Sequence, residues 1–185
     1  MSEVCVFLAD GFEEIEGLTV VDMLRRAGVS VETVSVMEKK KIVGSHGIIV
    51  KADKRFKKAD FSETKMLVLP GGLKGTENLK AHQGVQAQVV DFAMTGKYVA
   101  AICAAPTILA ELGLLDGKKA VCYPSMEEEL TGAEVADEPA VADGNVITGR
   151  GMGASIEFAL LLIEALRGRE KADEIAEQVV FARAR

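Results

Sequence analysis

The sequence has no tryptophan, two tyrosines, two histidines, four prolines and three cysteines in 185 residues. Each scarcity closes a class of function. With aromatics at 5% there are few platforms on which bases could stack, and 22 basic against 28 acidic side chains, a net charge of −6, leave no cationic footprint for phosphates. Nucleic-acid binding is excluded as the main task. Three cysteines are an odd number and far too few for a disulfide scaffold, which points to a reducing compartment and leaves at least one thiol free. Met1-Ser2-Glu3 carries no basic region, and the apolar run Val4 to Ala9 is too short for the core of a secretion signal. The longest mainly apolar stretches, Tyr98 to Ala110 and Phe158 to Leu166, fall short of the ~20 residues that cross a bilayer. A cytoplasmic protein with no membrane partner is expected.

What the chain does have is an apolar content of 49% in alternating short and long runs, enough for one domain over 1–185 with a full core. Val4-Cys5-Val6-Phe7-Leu8 reads as a strand buried on both faces. Leu18, Val21, Met23, Leu24 and Ala27 then fall near helical spacing before Gly28. Ser30 to Val36 reads as the next strand. Ile42-Val43 and Ile48-Ile49-Val50 flank the turn Gly44-Ser45-His46-Gly47, a small antiparallel excursion of the kind found at edges and interfaces. Further strands are expected at Met66 to Leu69, Tyr98 to Ile102, Lys119 to Cys122 and Asn145 to Thr148. Helices are expected over 85–94, 104–112, 155–166 and 170–181. The alternation predicts a doubly wound α/β fold with a mostly parallel sheet, in which sites form at the carboxyl ends of strands.

Among those strand ends the most informative is Ala101-Ile102-Cys103-Ala104-Ala105. It places a nucleophile between a buried strand and a helix, with small residues two positions either side, like the tight elbow that presents a catalytic serine. Pro106 and Thr107 suit the first turn of the helix that follows. A helix N-terminus there is expected to favour thiolate and pull the Cys103 pKa down. Cys5 and Cys122, inside strand runs, read as structural. Histidine, the usual partner of a nucleophilic thiol, is offered only by His46 in the hairpin turn and His82 in a polar, surface-like stretch. The remaining candidates are Glu13, Glu14 and Glu16 after the first strand, one of which, held protonated by burial, could donate a hydrogen bond to the sulfur. Spacing does not choose among them. Gly71 and Gly72 allow close backbone approach and amide donors for an oxyanion. The lysines and arginine between Lys39 and Lys58 read as guards of a sheet edge. Gly151-Met152-Gly153 is not a dinucleotide fingerprint and no cluster has zinc spacing, so neither cofactor nor metal is expected.

Four stretches together carry a resemblance: Ala9-Asp10-Gly11-Phe12-Glu13-Glu14-Ile15-Glu16, Val68-Leu69-Pro70-Gly71-Gly72, Ala100-Ala101-Ile102-Cys103-Ala104-Ala105-Pro106, and Thr148-Gly149-Arg150-Gly151 with Glu157-Phe158-Ala159. Over essentially its whole length the chain resembles the DJ-1/PfpI (ThiJ/PfpI) family. The resemblance implies a flavodoxin-like three-layer α/β/α sandwich and a homodimer. It also implies Cys103 as the elbow cysteine, Glu16 as its protonated partner, and the backbone N–H groups of Gly72 and Ala104 as the oxyanion site. Activities implied for the family are a glutathione-independent glyoxalase acting on methylglyoxal, a deglycase acting on glycated protein, a redox sensor in oxidative stress, a chaperone, a peptidase and a thiazole monophosphate role in the thiamine pathway. Two departures stand out. Tyr123 replaces a histidine that many relatives carry near the cysteine, and Met152 replaces the proline of a Gly-Pro-Gly turn. His46 falls where relatives reach across the dimer, which makes it, with Tyr123, a candidate accessory residue. The leading expectation is a cofactor-independent glyoxalase or deglycase.

Overall fold

The computed structural model describes residues 2–182. In chain order its elements are β1 (Val4–Leu8), α1 (Glu14–Arg26), β2 (Val31–Ser35), β3 (Lys41–Val43), β4 (Ile49–Lys51), β5 (Lys54–Arg55) and β6 (Met66–Leu69). There follow α2 (Leu73–Ala81), α3 (Gln83–Met94), β7 (Tyr98–Ile102), α4 (Pro106–Glu111), β8 (Lys119–Ala120) and β9 (Glu134–Val135). The chain closes with β10 (Ala140–Asp143), β11 (Val146–Gly149), α5 (Ser155–Arg167) and α6 (Arg169–Gln178). Seven strands form the main sheet in the order β10-β11-β7-β6-β1-β2-β5, every pair parallel except β10 with β11. Among the described residues, no helix is long and apolar enough to cross a membrane.

The sheet is central because its strands are apolar on both faces. All five residues of β1 are fully buried, those of even number packing with α1, α5 and α6 and those of odd number with α3 and α4. Two cores on opposite sides of one sheet make the expected α/β/α sandwich. The β3–β4 hairpin stands outside the sheet, and β5, carrying Lys54 and Arg55, forms its edge.

Several local expectations are revised. Helix α2 lies where no helix is expected, because only Gly75, Thr76 and Leu79 are buried and no apolar stripe marks it. Edge strand β10 is equally unmarked. The expected strand at 119–122 is only two residues long and pairs with β9 in a separate small sheet. His82 is not simply a surface residue: its Nδ1 accepts from the Val85 amide at 3.1 Å, capping α3, and its ring lies 4.6 Å from that of Phe56.

The connections run from β1 to β2 in one direction and then return to β6 on the other side of β1. The carboxyl ends of β1 and β6 therefore diverge at a switch point, the place where doubly wound sheets open a crevice.

Candidate active site

Cys103 follows β7 with a φ of 65°, the left-handed region that L-residues rarely occupy. Its main chain is held on both sides: the amide donates to Gly149 O at 2.9 Å, and the carbonyl accepts from the Tyr123 amide at 2.8 Å. Ala104 and Ala105 leave room for the turn, and Thr107 Oγ1 donates to Ala104 O at 2.8 Å as α4 begins. The side chain is 8% exposed, at the floor of a pocket of about 480 Å³ that Glu13, Ser45, Tyr123, Met126 and Met152 also line. Cys5 and Cys122 are fully buried, and all three cysteines are free.

Helix phase separates the three acids that spacing leaves open. Successive residues turn by about 100°, so Glu14 and Glu16 project from nearly opposite faces of α1. Glu14 faces the hairpin: Oε1 accepts from the His46 amide at 2.8 Å, and Oε2 from Ser45 Oγ at 2.9 Å. Burial raises its pKa, but those donors and the His46 ring outweigh burial and hold the carboxyl down at about 2. Glu13 accepts from Ser45 Oγ at 3.0 Å. Glu16 faces the sheet, fully buried, with Oε2 accepting from the Gly71 amide at 2.8 Å and Oε1 without a hydrogen-bond partner. The Cys103 thiol is beside it.

Gly71 shows how closely these groups are set. A Cβ there would lie 2.6 Å from Cys103 Cβ and 2.7 Å from Glu16 Oε2, so only glycine fits between thiol and carboxyl. Gly72, at φ 85°, begins α2, and its amide and that of Ala104 point at the sulfur.

Burial pushes Glu16 up to about 7, against the pull of the Gly71 amide and the thiol. Burial also pushes the Cys103 thiol up to about 12, and the negative charge of an ionised Glu16 adds to it, outweighing the Gly72 and Ala104 amides. The expectation that a helix N-terminus would lower this pKa is thus corrected. Helix α4 is only six residues long, and its partial charge is weaker than desolvation plus a neighbouring carboxylate. The pair retains a proton across neutral pH.

The other candidates sit at the rim. Tyr123 lines the pocket and is 41% exposed. His46 does not line it: its Nδ1 lies 3.1 Å from Glu14 Oε2, and that contact raises its pKa. Among the described residues Glu13, Glu14 and His46 form the one group with metal-ligand atoms close together, within 4.8 Å, but both oxygens of Glu14 already accept from the hairpin. Sequence reasoning missed Ser45, Met126 and Leu73 as pocket residues, and no motif marks them.

A family model described as DJ-1/PfpI family matches residues 2–165. The chain belongs to the DJ-1/PfpI family. The oxidized DJ-1 of Toxoplasma gondii superposes with a TM-score of 0.94 at 35% identity, covering 99% of this chain and 100% of that one. DJ-1 homolog A of Arabidopsis thaliana is 39% identical over 94% of this chain, which spans only 45% of that relative's length. A protein named as a deglycase from Thermococcus kodakarensis is 32% identical over 89% of this chain and 99% of its own. The flavodoxin-like fold expected for a DJ-1/PfpI protein is the one observed.

Proposed function

We infer that the protein is a cysteine-dependent, cofactor-independent glyoxalase or deglycase, acting on methylglyoxal-type α-oxoaldehydes or their adducts on protein. The observation that carries this reading is the pairing of Cys103 with a buried carboxyl that burial brings to a pKa of about 7, where it can both take and give a proton at neutral pH, with two backbone amides at the sulfur. The name of the Thermococcus relative points the same way. Cys103 Sγ adds to the aldehyde carbon as an ionised Glu16 takes the thiol's proton and hands it to the carbonyl oxygen, which gives a hemithioacetal and leaves Glu16 a carboxylate again. Glu16, now a carboxylate, removes the proton from that carbon and returns it to the neighbouring one, leaving a thioester. Water then releases a 2-hydroxy acid and restores the thiol. Methylglyoxal plus water thus becomes lactate with no net oxidation. The Gly72 and Ala104 amides would stabilise the oxyanion at each addition.

The reading is tested by incubating the protein with methylglyoxal in the absence of glutathione and measuring lactate. Lactate in large molar excess over protein is expected, and none at all would refute the activity. A second reading, an oxidation sensor, draws on the same thiol and on the Toxoplasma relative, described as oxidized. Two equivalents of peroxide would convert the thiol to sulfinic acid with release of two waters. A peptidase draws no support, since among the described residues no histidine lines the Cys103 pocket.

A homodimer is part of the same reading. Glu14 ties the hairpin to the start of α1, accepting from the His46 and Ile48 amides at 2.8 and 3.4 Å; on these two joined segments Ile15, Leu18, Ile48 and Ile49 are 55%, 37%, 52% and 56% exposed. An apolar patch of this kind on two elements fits a second copy of the chain. Sedimentation equilibrium is expected to give about twice 19.7 kDa, and Ile49→Glu to shift the mass toward the monomer.

A further inference from the structure

Next to the Cys103 pocket lies a second groove of about 370 Å³, formed where the loop before β10 meets the turn after β11. Tyr123 and Met152 line both spaces. The fold thus brings these two side chains to one shared wall. The Tyr123 ring rests against the Gly151 backbone, where an added Cβ would come within 3.4 Å of Cδ2. Pro124, Pro139 and Ala154 extend the surface away from Cys103. Among the described residues the groove's one cation is Arg150, and it is engaged, with Nη1 2.7 Å from Asp137 Oδ1 and Nη2 3.8 Å from Glu127 Oε1, while Glu138 adds a further negative charge. An anionic substituent would meet no free partner there. A flat apolar one would meet an aromatic face, a thioether and two proline rings, contacts that favour aromatic rings.

We propose that this groove is a subsite of the Cys103 pocket for the aromatic or bulky apolar substituent of an α-oxoaldehyde, with Tyr123 and Met152 as the residues that admit and hold it. The proposal rests on Cys103 being the aldehyde-accepting nucleophile, but the groove can be tested without turnover. Iodoacetamide and its N-phenyl analogue both alkylate the thiolate, forming a carbon–sulfur bond and expelling iodide, and differ only in the ring. The ratio of their rates at Cys103, followed by intact mass and peptide mapping and divided by the same ratio for glutathione, is expected to be about ten.

Gly153 lines this groove and not the Cys103 pocket, and a Cβ added there meets nothing within 4 Å. Gly153→Phe should therefore fill the groove without strain and bring the normalised ratio close to one, while Gly153→Ala should leave it near ten. The preference for phenylglyoxal over methylglyoxal in kcat/KM should fall in parallel in the Phe variant. A wild-type ratio no higher than that of glutathione, or one that Gly153→Phe leaves unchanged, overturns the subsite. Absence of turnover with the alkylation ratio intact overturns the aldehyde reading alone.

Discussion

Cys103→Ser is expected to lower lactate formation from methylglyoxal by about 10⁴-fold or more while leaving the protein folded. Serine has nearly the same shape and meets the same main-chain restraints, so the turn between Gly149 and Tyr123 is kept. What is lost is the nucleophile. A hydroxyl is far harder to ionise than a thiol, and a Glu16 carboxyl that gives up its proton near pH 7 cannot take one from it effectively. Parallel assays and thermal unfolding check this. Residual turnover within tenfold of the parent, in a variant of unchanged melting temperature, would remove Cys103 from the chemistry.

Glu16→Gln should separate two quantities that usually move together. The amide keeps the shape of the carboxyl but cannot take up a proton, so kcat is expected to fall by about 10³-fold, within the range typical of a lost general acid–base. At the same time the thiol should become easier to ionise. Burial and the Glu16 charge together push Cys103 up to about 12, and the substitution removes the charge. Alkylation by iodoacetamide at pH 8 should therefore quicken in the same variant whose turnover collapses. A merely structural Glu16 would not produce opposite changes.

The same substitution has a pH-dependent stability with a definite sign. Glu16 is raised from an ordinary value of 4.5 to about 7 in the folded protein. Its contribution is fully present below pH 4.5, where the group is protonated both folded and unfolded, and is lost as pH rises through 7. The loss over that window is about 3 kcal/mol. Urea unfolding at pH 4.5 and pH 8 should show this difference in the parent protein beyond whatever change Glu16→Gln retains. Glu14, held at about 2, acts in the opposite sense: its contribution is present above pH 4.5 and lost as pH falls through 2.

The parts of the fold that could be read in advance are those in which burial leaves a mark on residue type. Val4–Leu8 and Tyr98–Ile102 are apolar because the central strands are covered on both faces, and their limits agree with the structure. Helix α2 and strand β10 escape notice because few of their residues reach the core, and β5 because two residues cannot show a period. At the site, Cys103 was legible from its small neighbours and the strand-to-helix junction. The choice of Glu16 came only from family resemblance, although the opposite projection of Glu14 and Glu16 is implicit in helix geometry; what the chain could not show was which face met the sheet. The raised pKa of Cys103 is hidden from the sequence for a related reason. A sequence displays a helix start, but desolvation and the distance to a carboxylate belong to the fold. Tyr123 and Met152 were visible singly, and their common wall was not.

The left-handed backbone of Cys103 has a consequence for how such a site persists. A residue other than glycine in that region costs about 1–2 kcal/mol, so Cys103→Gly would relieve the backbone while leaving the protein inert. Selection acting on folding alone would thus drift toward glycine at this position, and a library screened only for thermal resistance should lose the thiol. On the proposed function, only the chemistry of the thiol holds the cysteine against that drift. In a scan of single substitutions, position 103 should stand out as the place where fitness and stability rank the amino acids in conflicting orders.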